Sequence, residues 1–260
     1  KGWYTDAKFK NKATSVKKGS TGDKTFYAKW AGVSYKVKFN GNGSTSGSMK
    51  TRSVTYGSGA KLASVGFKKK GYTFTGWNTK ANGKGKTYAN KADGSKLTTS
   101  AGKTVTLYAQ WKKTKYKITY KLNDGKNNSK NPKSYYITTS TIKLKNPTRK
   151  GYTFKGWYTD SKYKNKITEI KKGSTGNKTL YAKWAKTKYT ITYNLNKGKN
   201  SSKNPTKYYI TTSTIKLKNP TRKGYTFQGW YTDSKYKNKI TEIKKGSTGN
   251  KTLYAKWKKK

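Results

Sequence analysis

Apolar and polar residues alternate along several short segments of the chain, at the period of two that is typical of half-buried β-strands. The segment YTITYNL places Tyr189, Ile191, Tyr193 and Leu195 on one face, with threonine and asparagine on the other. The same alternation occurs earlier at Tyr116, Ile118, Tyr120 and Leu122, and more weakly at Tyr35, Val37 and Phe39. No segment sustains the 3.6-residue apolar period of a helix, so we expect at most one short helix in each set of strands.

Three further segments complete each set of strands. In YYITTSTIKLKNP, isoleucine and leucine alternate with lysine, and TLYAKW closes the set. Between them, GYTFQGWYT carries Gly229 in the interior of a predicted strand. A glycine at such a position is typical of a β-bulge, which would turn Trp230 to the same side as Phe227.

This set of strands recurs along the chain, because the segment from Gly151 to Trp184 returns almost unchanged from Gly224 to Trp257. A looser copy ends at Trp111, and a shortened copy opens the chain. Such a period indicates an array of small modules. A module of about 70 residues can fold alone, but its stability is marginal because so small a domain buries a low fraction of its surface. The predicted organisation is a truncated repeat 1 (1–30), a divergent, longer repeat 2 (33–111), repeat 3 (116–184), repeat 4 (189–257) and a basic tail (258–260).

The connections between repeats are predicted to be short. The segments Lys112–Lys115 and Ala185–Lys188 would form four-residue linkers, which favour a semi-rigid string of modules. Repeat 1 lacks counterparts of the first two strands, so we expect it to pack poorly or to borrow a strand edge from repeat 2. Because the chain begins inside a repeat and lacks an initiator methionine, we expect it to be part of a longer protein.

Three motifs at fixed spacing, an initial Y-x-I-T-Y, a central GYTFxGWYT and a closing LYAxW, resemble the Listeria–Bacteroides repeat. The B repeat of internalin B is the same unit, and the resemblance extends from Lys1 to Trp257. It implies a β-grasp fold with a small, mostly antiparallel sheet, in secreted or wall-attached bacterial surface proteins. The predicted fold class is therefore mostly β: tandem β-grasp-like modules arranged as beads on a string, in an extracellular protein.

Composition excludes several kinds of site. The chain has no cysteine or histidine, which rules out disulfides and thiolate or imidazole metal sites. Only 8 residues are acidic, and those that recur between repeats are Asp6, Asp160, Asp233, Glu169 and Glu242. Isolated carboxylates suit neither paired acid–base catalysis nor calcium binding, so we expect them to cap turns or pair with lysines. We predict no enzyme, no catalytic residues, no cofactor and no metal.

The aromatic residues are predicted to have two different roles. With few aliphatic residues available, Phe154, Trp157, Leu180 and Trp184 are expected to form the core of repeat 3, and not a sugar-binding platform. Some tyrosines are expected to lie partly exposed beside lysines. These are Tyr135, Tyr136, Tyr158, Tyr163 and their equivalents in the other repeats.

The lysines are the main candidate for a binding function, since Lys and Arg together number 62 and the net charge is +54. We expect a polyanion-binding set whose members recur between repeats 3 and 4. It comprises Lys143, Lys145, Lys162, Lys164, Lys166, Lys171 and Lys172, with Lys216, Lys218, Lys235, Lys237, Lys239, Lys244 and Lys245. In an extended chain, Lys162, Lys164 and Lys166 would point to one side. The alternative is a merely solvated face that reflects codon usage.

The leading functional hypothesis is a non-catalytic stalk that adheres by multivalent electrostatics to anionic polymers, either teichoic acid or sulfated and sialylated glycans. One alternative is a specific protein- or glycan-binding module that uses exposed tyrosines. Another is non-specific nucleic-acid binding; sequence-specific readout is not expected, because lysine lacks the bidentate fork of arginine. No apolar run approaches the roughly 18 residues that span a bilayer, so no transmembrane segment is predicted.

Overall fold

A computed structural model describes residues 1–260, and all of its regular structure is β-strand. Two compact units are present, Lys1–Thr114 and Lys115–Lys260. The first contains β1 (Gly2–Tyr4), β2 (Lys12–Ala13), β3 (Tyr27–Lys29), β4 (Ser34–Asn40), β5 (Arg52–Thr55), β6 (Tyr72–Asn78), β7 (Thr87–Tyr88) and β8 (Thr104–Lys113). The structure contains no helix that could span a membrane.

The second unit contains two nearly identical sets of seven strands. Repeat 3 has β9 (Tyr116–Lys121), β10 (Ser134–Tyr135), β11 (Ile142–Lys143), β12 (Tyr152–Tyr158), β13 (Lys166–Ile167), β14 (Glu169–Ile170) and β15 (Lys178–Lys186). Repeat 4 has β16 (Tyr189–Asn194), β17 (Lys207–Tyr208), β18 (Ile215–Lys216), β19 (Tyr225–Tyr231), β20 (Lys239–Ile240), β21 (Glu242–Ile243) and β22 (Lys251–Lys259).

Each complete repeat builds one five-stranded sheet with the same strand order. In repeat 3 this order is β10-β9-β15-β12-β13, and β11 pairs separately with β14. The first and last strands, β9 and β15, run parallel at the centre, and every other pair is antiparallel. Repeat 4 repeats both sheets, whereas repeat 2 has the five-stranded sheet and only an isolated bridge between Lys61 and Asp93 in place of the two-stranded one. The predicted fold class is confirmed as mostly β, with tandem modules built on small, mainly antiparallel sheets, and the repeats contain no helix.

The predicted bulge is confirmed in the third long strand. The register of β19 against β22 shifts between Phe227 and Gly229, and Gly229 has a φ of 140°. Because the bulge adds one residue to the strand, Trp230 turns inward and packs in the same core as Phe227. The same shift occurs in repeats 2 and 3.

The core of repeat 3 consists mainly of aromatic and aliphatic side chains from the sheet and from the β11–β14 pair. As predicted, Trp157 and Leu180 are buried, with Phe154 and Trp184 packed against them. The prediction that Tyr135 is partly exposed is wrong, because its ring is only 3% exposed. Its hydroxyl donates a hydrogen bond to the Gly176 carbonyl oxygen at 2.6 Å, so a small core can bury the ring without leaving the hydroxyl unpaired.

The other three tyrosines predicted to be partly exposed do reach solvent. Tyr136 is 36% exposed, and Tyr158 and Tyr163 are half-buried. In repeat 4, Tyr208 is buried like Tyr135, so the correction applies to both copies. The exposed tyrosine surface is therefore smaller than the sequence indicated.

Repeat 1 forms only a three-stranded sheet in the order β2-β1-β3, without an edge from repeat 2. Its Trp3 is 57% exposed, whereas the equivalent Trp157 is 2% exposed. Trp30, which closes the repeat, is 85% exposed. Repeat 1 is thus poorly packed, as expected for a unit without the two strands that cover these rings elsewhere.

The predicted four-residue linker between repeats 3 and 4 is wrong. Strand β15 continues through Ala185 and Lys186, which pair with the start of β12. Only Thr187 and Lys188 lie between β15 and β16, and the Thr187 N–H donates to the Gly151 carbonyl oxygen at 3.0 Å. The connection is therefore largely part of the sheet.

Candidate polyanion-binding surface

The two-stranded ribbon of β11 and β14 presents lysines outward because its isoleucines point inward. Ile142 pairs with Ile170 and faces the core, while Lys143 pairs with Glu169 on the outer face. The alternation continues beyond β11: Leu144 packs on the core, and Lys145 is exposed. Repeat 4 has the same ribbon with the same register.

A buried asparagine fixes the path of this ribbon. The Asn131 side chain accepts a hydrogen bond from the Lys145 N–H at 2.8 Å and donates one to the Lys145 carbonyl oxygen at 2.9 Å. The same carbonyl accepts a hydrogen bond from the Trp157 indole N–H at 3.1 Å. The backbone beneath Lys145 is thus tied both to a loop and to the core, and Asn204 repeats the arrangement in repeat 4.

A tight turn brings two more lysines to the end of the ribbon. The Ser174 N–H donates to the Lys171 carbonyl oxygen at 3.1 Å, and the Lys172 N–H donates to Thr141 Oγ1 at 3.2 Å. The register of the ribbon sets Lys171, one residue past β14, diagonally across from Lys143 on the outer face, where diagonal neighbours lie about 7–8 Å apart. We call this set the ribbon cluster: Lys143, Lys145, Lys171 and Lys172 in repeat 3, and Lys216, Lys218, Lys244 and Lys245 in repeat 4.

The prediction that Lys162, Lys164 and Lys166 share one side of an extended chain is wrong. Residues 160–165 form a turn in which Tyr163 has a φ of 56°. Only Lys166 lies in a strand, and its aliphatic stem crosses the bulge glycine of β12. We call Lys162, Lys164 and Lys166, with Lys235, Lys237 and Lys239 of repeat 4, the hairpin cluster; all six side chains are exposed.

The hairpin turn is held by the recurring aspartate, which confirms its predicted role as a turn cap. The Asp160 carboxylate accepts hydrogen bonds from the N–H groups of Lys162 at 3.0 Å, Lys164 at 3.1 Å and Asn165 at 2.8 Å. The bonds from Asn165 and Lys164 are the main reason that the pKa of Asp160 lies below its usual value of 3.8. Asp6 and Asp233 hold the equivalent turns.

We expect the turn to lose stability as the pH is lowered, because protonation of Asp160 weakens its hydrogen bonds to the backbone. Because the folded pKa of Asp160 is lowered, its stabilising effect is complete above pH 3.8 and is lost as the pH falls through the lowered value. Amide NMR shifts of Lys164 and Asn165, followed from pH 6 downward in about half-unit steps, should report that transition. The variant Asp160→Asn should abolish it. The control Asp124→Asn removes a carboxylate of the same repeat that lies outside this turn and should retain it.

One lysine beside the hairpin, Lys183, is not among the residues predicted from the sequence. The Lys183 ammonium lies 5.5 Å from the ring centres of both Tyr158 and Tyr163, which meet edge to face. Lys256 has the same position against Tyr231 and Tyr236 in repeat 4. The signal was present in the closing motif LYAKW, but the pairing of β12 with β15 is needed to bring this lysine to the tyrosines.

Repeat 2 replaces this group as a whole. Asn78 occupies the position of Tyr158, Gly83 that of Tyr163 and Gln110 that of Lys183. The Asn78 amide donates to the Gly83 carbonyl oxygen at 3.0 Å, and its Oδ1 accepts the Lys80 N–H at 2.9 Å. In repeat 2 the turn is therefore stabilised by Asn78 and not by an aspartate. The tyrosine–lysine contact is found at this hairpin in repeats 3 and 4 but not in repeat 2.

The lysines of both clusters form no ion pairs with acidic side chains. The protein contains a single ion pair, between Arg149 and Asp124 at 3.0 Å. Glu169 lies opposite Lys143 in the ribbon but forms no ion pair with it, and the turn aspartates are occupied by backbone N–H groups. No group of three acidic, histidine or cysteine side chains could hold a metal ion. The surface therefore carries a strong positive potential with few internal counter-charges.

Comparison with known proteins agrees with the motifs in the sequence. The family model of the Listeria-Bacteroides repeat domain matches residues 1–29, 35–110, 116–183 and 189–256. A predicted Gly-rich membrane protein of Evansella cellulosilytica is 35% identical over 242 residues, which is 90% of this chain and 26% of that protein. Internalin H of Listeria monocytogenes is 35% identical over 117 residues, which is 44% of this chain and 20% of internalin H.

The chain thus spans about a quarter of the length of the first relative and a smaller share of internalin H. Because the family model covers nearly the whole chain, one repeat after another, the chain belongs to the Listeria–Bacteroides repeat family.

Proposed function

We propose that this chain is a non-catalytic repeat region of a bacterial cell-surface or secreted protein, which acts as a spacer and adheres to anionic polymers. The observation that carries the proposal is the ribbon cluster: exposed lysines on a hydrogen-bonded ribbon, in a protein with a single ion pair. The location is supported by the repeat family and by a relative whose name describes a membrane protein.

The mechanism is multivalent electrostatic attraction. Lysine is a hydrated point charge, so each contact with a phosphate, sulfate or carboxylate is weak and tolerant of geometry. Repetition of the ribbon cluster turns later contacts into intramolecular ones, which raises avidity by about 10²–10⁴. The fitting partners are flexible or repetitive polyanions, namely teichoic acid or sulfated and sialylated glycans. Folded repeats should also gain stability when a polyanion relieves their self-repulsion.

The test is a salt titration of the complete 260-residue chain against heparin, teichoic acid and duplex DNA. We expect all three to bind at low salt and to dissociate together as salt rises, because binding releases condensed counterions. Retention of one polymer at about 0.5 M salt, where charges are screened within a few ångströms, would contradict the proposal and favour a shaped site at the exposed tyrosines.

A charge-matched pair of variants tests the assignment to the ribbon cluster. One variant changes its eight lysines to glutamine; the control changes eight exposed lysines of the first unit, Lys8, Lys10, Lys17, Lys18, Lys50, Lys84, Lys96 and Lys103. Both variants lose the same charge. We expect the ribbon variant to bind more weakly and to show a shallower salt dependence than the control. Equal weakening would show that only total charge matters.

A further inference from the structure

An isoleucine at the corner of an exposed turn in repeat 4 has no role in the core of its own repeat. Tyr209 to Thr212 form a turn in which the Thr212 N–H donates to the Tyr209 carbonyl oxygen at 2.9 Å, and Ile210 occupies the second position. The Ile210 carbonyl oxygen accepts the Gly246 N–H at 3.0 Å. This isoleucine corner is therefore held rigidly with an apolar side chain at its tip.

The tip of the corner rests on a glycine of repeat 3. Gly151 has a φ of 76° in a turn closed by the Tyr152 N–H and the Arg149 carbonyl oxygen at 3.1 Å. A Cβ atom at Gly151 would lie 2.5 Å from Cδ1 and 2.6 Å from Cβ of Ile210. The absent side chain thus leaves the space that Ile210 fills.

The same glycine turn in repeat 4 shows what the contact adds. Gly224 has a φ of 75°, and its turn is closed by the Tyr225 N–H and the Arg222 carbonyl oxygen at 3.2 Å. No atom lies within 4 Å of a Cβ built there, and Gly224 is exposed, whereas Gly151 is buried. The two turns differ in whether an isoleucine corner sits on them.

We propose that the isoleucine corner of repeat 4 and the glycine turn of repeat 3 form a docking surface that fixes repeat 4 on repeat 3, head to tail. Repeat 3 has its own isoleucine corner, with Ile137 in a turn closed by the Thr139 N–H and the Tyr136 carbonyl oxygen at 2.9 Å. Each of these two repeats therefore carries an isoleucine corner and a glycine turn, and the corner of one meets the turn of the other in a heterologous contact.

The connecting segment supports this docking. Thr187 and Lys188 alone separate β15 from β16, and the Thr187 hydroxyl lies 2.9 Å from the Thr153 hydroxyl. A connection of two residues, anchored at one end to the sheet, restricts rotation between the repeats, and the contact of Ile210 with Gly151 restricts it further. The ribbon clusters of repeats 3 and 4 are then held at a fixed separation, whether or not they bind a polyanion.

The experiment measures the distance between repeats 3 and 4 in the complete chain. Since the chain has no cysteine, the variants Ser161→Cys and Ser234→Cys place one spin label on each repeat at exposed, equivalent positions. Pulsed electron paramagnetic resonance should give a single narrow distance peak. We expect that peak to be lost in Ile210→Ser, while the near-ultraviolet circular dichroism of the aromatic core is retained.

Two glycine variants provide a matched pair. Gly151→Ala and Gly224→Ala both force a side chain into a left-handed conformation, but only the first meets Ile210. Docking predicts loss of the narrow peak in Gly151→Ala and its retention in Gly224→Ala. A broad distribution in the unsubstituted chain, or a narrow peak that survives Ile210→Ser, would overturn the inference. Neither outcome depends on salt-sensitive binding of polymers.

Discussion

Replacing Trp157 by alanine should destabilise repeat 3 by about 3–5 kcal/mol, the usual cost of removing a large buried aromatic side chain. The indole is 2% exposed, meets the Tyr120 and Phe154 rings edge to face, and donates to the Lys145 carbonyl oxygen beneath the ribbon. Native-state hydrogen exchange measures the effect within one repeat. We expect the amide of Leu180 to lose protection while that of Leu253 in repeat 4 retains it.

Repeat 1 supplies a natural control for this prediction. Trp3 occupies the equivalent place in its KGWYTD motif but is 57% exposed. The variant Trp3→Ala should therefore change stability by no more than about 0.5 kcal/mol. If both substitutions cost the same, the tryptophan of this motif would not owe its effect to burial, and the assignment of Trp157 to the core would be wrong.

Replacing Asn131 by alanine should cost about 1–3 kcal/mol, because it leaves the part-buried N–H of Lys145 without an acceptor and the Lys145 carbonyl with only the Trp157 indole as donor. The substitution is neutral in charge, yet it frees the segment that carries Lys143 and Lys145. We expect the amide of Leu144 to exchange faster and heparin binding to weaken at unchanged net charge. Weaker heparin binding at unchanged net charge would show that binding needs ordered lysines and not only the total positive charge.

The control is Asn146→Ala, five residues before the turn glycine Gly151. Asn146 is exposed, and its only hydrogen bond is through its backbone carbonyl oxygen, which accepts from Asn128. Stability and heparin affinity should both stay unchanged in this variant. Heparin binding by Asn131→Ala that matches the unsubstituted chain would show that the ribbon need not be ordered to bind.

Features that depend on neighbouring residues could be predicted from the sequence. The alternation in YTITYNL gave the first strand of repeat 4, and the interior glycine of GYTFQGWYT gave the bulge at Gly229. The role of Asp160 as a turn cap also follows from its short range, since its partners lie within five residues. Local geometry fixes all three, so no knowledge of the tertiary structure is required.

Features that depend on distant pairing could not be predicted. Lys171 reaches Lys143 only because β14 pairs with β11, and Lys183 reaches its tyrosines only because β15 pairs with β12. Tyr135 was expected near the surface, but its hydroxyl finds the carbonyl of Gly176, 41 residues away. The sequence predicts an extended chain for the hairpin lysines, because nothing in it signals that Tyr163 adopts a left-handed backbone conformation.

The parallel pair at the centre of each complete repeat also decides how mechanical force would act on the chain. Repeat 4 begins with β16 and ends with β22, and these strands are neighbours that run in the same direction. Pulling the two ends apart would slide the strands along each other, so that their hydrogen bonds bear the load together and not one after another. A tethered array of such repeats would respond to tension as a series of clamps, each held until its own strands shear.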